Sequence, residues 1–130
     1  MDRLRTCEPD LQELFHHVLQ VYDCTILTGH RTQADQQKAF DEGKSQVHYP
    51  NSKHNKYPSL AVDAAPYPID WEDHKRFVYF AGIVKGIATG LGMKIRWGGD
   101  WNGDNQLSGR HKYSDPLQKF DDLVHFELVI

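Results

Sequence analysis

The chain has 130 residues, 39% of them hydrophobic and 25% charged, with a formal charge of −3. That length suits a single domain spanning 1–130, with a real core but no room for a second one. The slight negative charge leaves no basic footprint for nucleic acid, and no apolar run approaches the roughly 18 to 20 residues that span a bilayer.

The first residues, Met1 to Thr6, lack the apolar stretch of a signal peptide, which predicts synthesis into the cytoplasm. Cys7 and Cys24 form no CxxC pair and are expected as free, at least half-buried thiols. Pro9, Leu11, Leu14, Phe15, Val18, Leu19 and Tyr22 fall at the spacing of an amphipathic helix, with His16 and His17 beside the stripe at the surface. Cys24–Thr28 reads as a strand closed by Gly29. A polar helix follows over Thr32–Glu42, capped by Thr32, ended by Gly43 and expected to cover one edge of the sheet.

Residues 44–59 form a long polar loop, of a length that in a compact domain is more often functional than idle. Leu60–Pro66 is a short apolar strand with Asp63 in its middle. Phe77, Phe80, Ala81, Val84, Ile87, Ala88 and Leu91 mark a helix over Asp73–Leu91, in which Gly82 and Gly86 suggest close packing against a neighbour. Lys94–Trp97 is a strand, 102–118 a loop, and Leu123–Ile130 a final strand. This order predicts an α+β fold, a small antiparallel sheet with helices packed on one side.

A carboxylate inside a strand is costly to bury unless a positive partner neutralises it. For Asp63 a metal ion would serve, with His54 at the end of the preceding loop and His125 in the last strand as co-ligands. Two imidazoles and one carboxylate leave a fourth position open, the ligand set of a catalytic zinc site. By pattern alone, three unrelated polar residues are the competing reading and the pattern does not displace it.

Ser52-Lys53-His54, Ser59-Leu60-Ala61-Val62-Asp63 and Asp122-Leu123-Val124-His125-Phe126-Glu127-Leu128 together resemble the SxHxxGxAxD … (D/E)xxHxE signature. That signature belongs to the VanY-like zinc peptidases, the D-Ala-D-Ala carboxypeptidase and L-alanyl-D-glutamate peptidase family, and especially to its phage endolysins. Gly29-His30-Arg31-Thr32 with Gln36 is similar to the family's G-x-R-(S/T)-x-x-x-Q segment, and Trp97-Gly98-Gly99-Asp100-Trp101 resembles its late turn. Two departures stand out. The interval from His54 to Asp63 is two residues longer than the family's, and Ser59 replaces a glycine. An insertion around Tyr57-Pro58 can be absorbed in the loop.

The resemblance implies a Hedgehog/DD-peptidase-like fold, a Zn2+ cofactor on His54, Asp63 and His125, and bacterial peptidoglycan as partner, acted on by a monomer at the cell-wall side after release. It places the catalytic carboxylate at Asp122, with Asp121 as the adjacent competitor on the opposite face of an extended strand. Arg31 would stabilise oxyanion charge or grip a substrate carboxylate, the other reading being a surface salt bridge. Gln36 and Ser52 are weaker candidates for substrate contact. Glu127 shares a face with His125 and either orients that ligand or is a satisfied polar residue at the sheet edge. His30, His48, His74 and His111 are not expected as ligands. Asp70, Asp73, Asp100 and Asp104 read as turn and cap residues, although Asp100 could support the site from behind.

The implied reaction is hydrolysis between L-Ala and D-Glu in a wall stem peptide. The alternatives are a D,D- or L,D-carboxypeptidase, disfavoured because Val124 and not Trp precedes His125, and a metal-stabilised wall-binding or interaction module without turnover, since the same fold in the Hedgehog signalling domain keeps such a zinc site for partner binding. An intact base candidate at Asp122 argues against the module.

Overall fold

A computed structural model describes residues 2–103, 105 and 122–129. Most of the expected 102–118 loop lies outside them, as do Asp104, His111 and Asp121. A short 3-10 turn, Arg3–Thr6, leads into α1 (Pro9–Leu19), β1 (Cys24–Thr28), α2 (Gln33–Asp41), a second 3-10 turn (Lys53–Asn55), β2 (Ala61–Pro66), α3 (His74–Gly90), β3 (Ile95–Gly98) and β4 (Asp122–Leu128). The strands form one antiparallel sheet in the order β1-β2-β4-β3. The fold is α+β.

Period-two alternation divides this sheet into two chemically opposite faces. Val62 and Ala64 of β2, Ile95 and Trp97 of β3 and Phe126 of β4 turn to the helices. There they meet Leu11, Leu14, Phe15 and Val18 of α1 and Phe80, Ala81, Val84 and Ala88 of α3. Phe126 is fully buried, its ring 5.8 Å from Phe15 and 6.0 Å from Phe80 in edge-on contacts. Asp63, His125, Glu127 and Arg96 occupy the alternate positions and so face away from that core. Pairing sets Asp63 opposite His125, and sets Glu127 between Ala61 and Arg96.

Local signals explain the ends of the elements. Thr32 accepts from the Asp35 amide, and Asp35 returns a bond to the Thr32 amide, closing a capping box on α2. Asp73 caps α3 through the Arg76 amide, and the Asp70 side chain accepts from Glu72 N in the turn before it, so both act as turn and cap residues. Cys7 and Cys24 are buried and free, and burial pushes both thiols up to about 11, away from the reactive thiolate. Among the described residues no helix is long and apolar enough to cross a membrane.

Two expectations are corrected. Gly82 and Gly86 do not mark close packing: a Cβ at either would meet nothing within 4 Å. They lie on the exposed side of α3, because Phe77, Phe80, Ala81, Val84 and Ala88 define the face turned to the sheet. Nor does α2 contribute to the main core as a cover for the sheet edge. Its buried residues are Gln36 and Ala39, and Gln36 is held by polar contacts.

Because Phe126 joins both helices to the central strand, Phe126→Ala is expected to cost about 3–5 kcal/mol. Denaturant unfolding measures this, and a loss under about 1 kcal/mol would remove Phe126 from the centre of the core.

Candidate metal centre

His54 comes from the polar loop, and the loop is built to hold it. Ser52 Oγ accepts the His54 amide at 3.2 Å while Asn55 Oδ1 accepts the Ser52 amide at 3.0 Å, which winds Lys53–Asn55 into its single turn. The imidazole is buried, with Nδ1 2.8 Å from the Gly29 carbonyl. A carbonyl can only accept, so Nδ1 carries a proton and Nε2 is the nitrogen turned inward. Gly29 has to be glycine, since a Cβ there would collide with the Thr6 hydroxyl and the Arg3 carbonyl. Tyr57 is 71% exposed and Pro58 is exposed, whereas Ser59 returns fully buried and bonds Ala61 through its hydroxyl. Asp63 stays paired with His125 of β4, while a register shift in β1 between Ile26 and Thr28 sets Thr28 opposite it on the other side.

The buried Asp63 and His125 meet His54 across β2 and β4. His54 Nε2 lies 3.1 Å from Asp63 Oδ1 and 3.3 Å from His125 Nδ1, and Asp63 Oδ1 lies 3.4 Å from His125 Nδ1. The other nitrogen of His125, Nε2, is 2.8 Å from Glu127 Oε1, so each ring is anchored through one nitrogen and offers the other to a shared point. Such a set can hold a divalent ion, and its donor atoms lie within 4.8 Å of one another.

Positive charge gathers around Asp63. Burial alone would raise the Asp63 carboxyl, yet the charge of His54 and its bonds to both imidazoles hold it far below the usual carboxylate range. Burial opposes charge on His125, but bonds to Asp63 and Glu127, with the charges of Asp63 and Asp122, push it up to about 9. Burial also works against Glu127, which the bond and charge of His125 and the neighbouring Lys53 hold down at about 2.

Asp122 and Arg31 flank the cluster. The sheet register shifts between Trp97 and Gly98, so that Gly98 pairs with Asp122. A side chain at Gly98 would collide with the Asp122 carbonyl, so the close approach needs glycine. Burial and then the negative charge of Asp63 push the Asp122 carboxyl up to about 6, against the pull of His125 and Arg31. Arg31 Nη2 reaches Asp63 Oδ2 at 3.4 Å, and Nη1 donates to Gln36 Oε1 at 3.0 Å. A cleft of about 250 Å³ opens over these groups, walled by Lys44–Val47, Asn51–His54, Arg31, Trp101, Asp122, His125 and Glu127.

Residues 1–129 match the family of phage L-alanyl-D-glutamate peptidases. The chain belongs to that family. It is 33% identical over 133 residues to the L-alanyl-D-glutamate peptidase of Escherichia phage T5, an alignment covering 98% of this chain and 92% of the relative. The fold matches the crystal structure of the Serratia marcescens L-Ala D-Glu endopeptidase ChiX, with a TM-score of 0.73 at 24% identity over 98% of this chain and 84% of that one.

In this family member the structure gathers His54, Asp63 and His125 at one point, with Asp122, Arg31 and Glu127 around it. Gln36, expected at the substrate, is instead fully buried. Its Oε1 accepts from Arg31 and Asn55, and its Nε2 donates to Ser45 Oγ and the Val47 carbonyl, so the whole carboxamide is engaged within the protein. Ser52 lines the cleft while capping the His54 turn. Asp100 turns towards α3, where it pairs with Lys85 at 3.6 Å. Sequence reasoning missed Asn55, Lys53, Arg96 and Trp101, whose ring lies 5.2 Å from that of His125. Strand pairing would have exposed Arg96, which sits opposite Glu127. The others depend on loop paths that carry no periodic signal.

His125 gives the metal-free protein a pH signature. Its proton is held up to about 9 in the fold, against about 6.5 in an unfolded chain. The resulting stabilisation is complete below about pH 6.5 and is lost as pH rises to about 9, while the depressed Asp63 contributes evenly across that window. Chelator-treated protein should therefore melt lower at pH 9 than at pH 6.5, and His125→Ala should remove most of that drop. A melting temperature flat across the window would show that no such proton is held.

Proposed function

We propose that this chain is a zinc-dependent peptidoglycan hydrolase that cuts stem peptides between L-Ala and D-Glu, in the manner of a phage endolysin. The observation that carries the reading is the triangle of donor atoms, with edges of 3.1, 3.3 and 3.4 Å, beneath an open cleft. Zinc with ligands at 2.0–2.2 Å in tetrahedral array has edges of about 3.3–3.6 Å, so the residues fit that ion with one corner left for substrate or water. Zinc bound there supplies Lewis-acid polarisation of the scissile carbonyl and lowers the pKa of water towards about 7.

The chain's own residues would do the rest. Asp122 takes the proton of the attacking water and delivers it to the leaving amine, and its elevated proton affinity keeps both transfers near the working pH. Arg31, fixed by Gln36 and Asp63, presents a fixed positive charge at the cleft where the carbonyl oxygen gains negative charge. The loop wall from Lys44 to Lys53 supplies the surface along which the stem peptide lies. Membership of the L-alanyl-D-glutamate peptidase family supports the choice of bond.

Incubating the protein with bacterial murein and identifying the released muropeptides by mass spectrometry tests the whole reading. New D-Glu amino termini should appear, vanish with a chelator and return with zinc. Release of single terminal residues would instead mark a carboxypeptidase, and binding without cleavage a wall-binding module.

Two substitutions separate the roles. Asp122→Ala should retain zinc and lower turnover by about 10²–10⁴-fold, whereas His54→Ala should lose zinc in elemental analysis. Zinc loss in the first, or full occupancy in the second, would reassign that residue.

A further inference from the structure

The cluster sits beside two positive charges to which the proposed reaction gives no chemical step. Glu127 is buried and each of its oxygens has a separate task. Oε1 accepts from His125 Nε2 at 2.8 Å, while Oε2 faces Lys53 Nζ at 3.2 Å and Arg96 Nη1 at 3.3 Å. The two cations arrive from independent parts of the chain. Arg96 reaches Glu127 because β3 pairs it there, and Lys53 reaches it from the 3-10 turn that carries His54. Lys53 Nζ also donates to the Leu128 carbonyl at 2.6 Å, so the loop bearing one imidazole is fastened to the strand bearing the other.

We infer that Lys53 and Arg96 form a cationic clamp that fixes Glu127, and through it the ring of His125, in the orientation that admits a metal ion. The inference rests on the metal-binding reading above and adds two positioning residues to it. Without the clamp, Glu127 is a carboxylate on the same sheet face as the cluster and only two residues from His125. Freed to rotate, it either abandons His125 Nε2, which leaves the ring's tautomer and tilt undefined, or turns towards the ion itself and disturbs the ligand set. With Oε2 held by two cations, only Oε1 is left for His125.

The sign of the effect separates this role from simple charge. Two positive charges beside a cation site repel the ion, so deleting them by electrostatics alone would tighten metal binding. Loss of a positioning contact behind a metal ligand does the opposite, typically weakening affinity by about 10–100-fold.

The measurement is the zinc dissociation constant, read by competition with a chromogenic chelator, alongside the melting temperature of the chelator-treated proteins. Lys53→Met and Arg96→Met should each weaken zinc about 10-fold, with a larger loss in the double variant. Lys53→Arg, which keeps the charge and the reach to Glu127, should stay near the unsubstituted protein. Lys56→Met, on an exposed residue of the same loop, should leave affinity unchanged. Unchanged or tighter zinc binding in the double variant overturns the clamp, as does weakening that merely follows a fall in the melting of the chelator-treated protein. An unsubstituted protein that binds no zinc overturns the metal reading itself and the clamp with it, a result distinct from variants that match a zinc-binding parent.

Discussion

A carboxylate buried in the second strand of the sheet is the constraint on which the rest of this protein turns. Asp63 sits in Ala-Val-Asp-Ala-Ala-Pro, flanked by residues that are themselves buried. Ionised and isolated it would be prohibitively costly there. Two imidazoles and a guanidinium surround it, brought from a loop before the strand, a strand near the end of the chain and the turn after β1. Four separated stretches must therefore reach one place for the sheet to close without an unpaired charge. Such a requirement favours a single register, since a slip of one residue would send Asp63 into the helices.

The same alternation that exposes Asp63 to the cluster builds the core behind it. Phe126 lies between His125 and Glu127 in sequence, yet its ring meets Phe15 and Phe80 on the other side of the sheet. The central strand is thus fixed by apolar packing on one face and by polar pairing on the other. Side chains held in this way keep their rotamers, which a constellation of three converging donors requires.

Beyond the donors, a shell of fully occupied polar groups gives the cleft its shape. Gln36 joins Arg31 to the 45–47 wall and to Asn55, one residue past His54. Glu127 joins His125 to Lys53 and Arg96. Buried networks of this kind are costly when one member is missing and rigid when all are present. Under the proposed reaction, that rigidity holds Arg31 and Asp122 towards the carbonyl and the water without reorganisation at the moment of bond breaking.

The amino-acid sequence by itself determined the elements, because amphipathic spacing, β-branched runs and the caps Thr32 and Asp73 are local physics. It also offered His54, Asp63 and His125, as polar residues in or beside apolar strands, whereas Asp122 and Arg31 were singled out through the resemblance to the peptidase family. Tertiary structure alone decided that Gln36 is buried and bonded to Arg31, Asn55, Ser45 and Val47, and that Gly82 and Gly86 look onto open space. It alone set Lys53 and Arg96 on one carboxylate oxygen. These are facts about which distant segments share a few ångströms, and they depend on loop paths and strand register, which no periodicity within a single segment encodes.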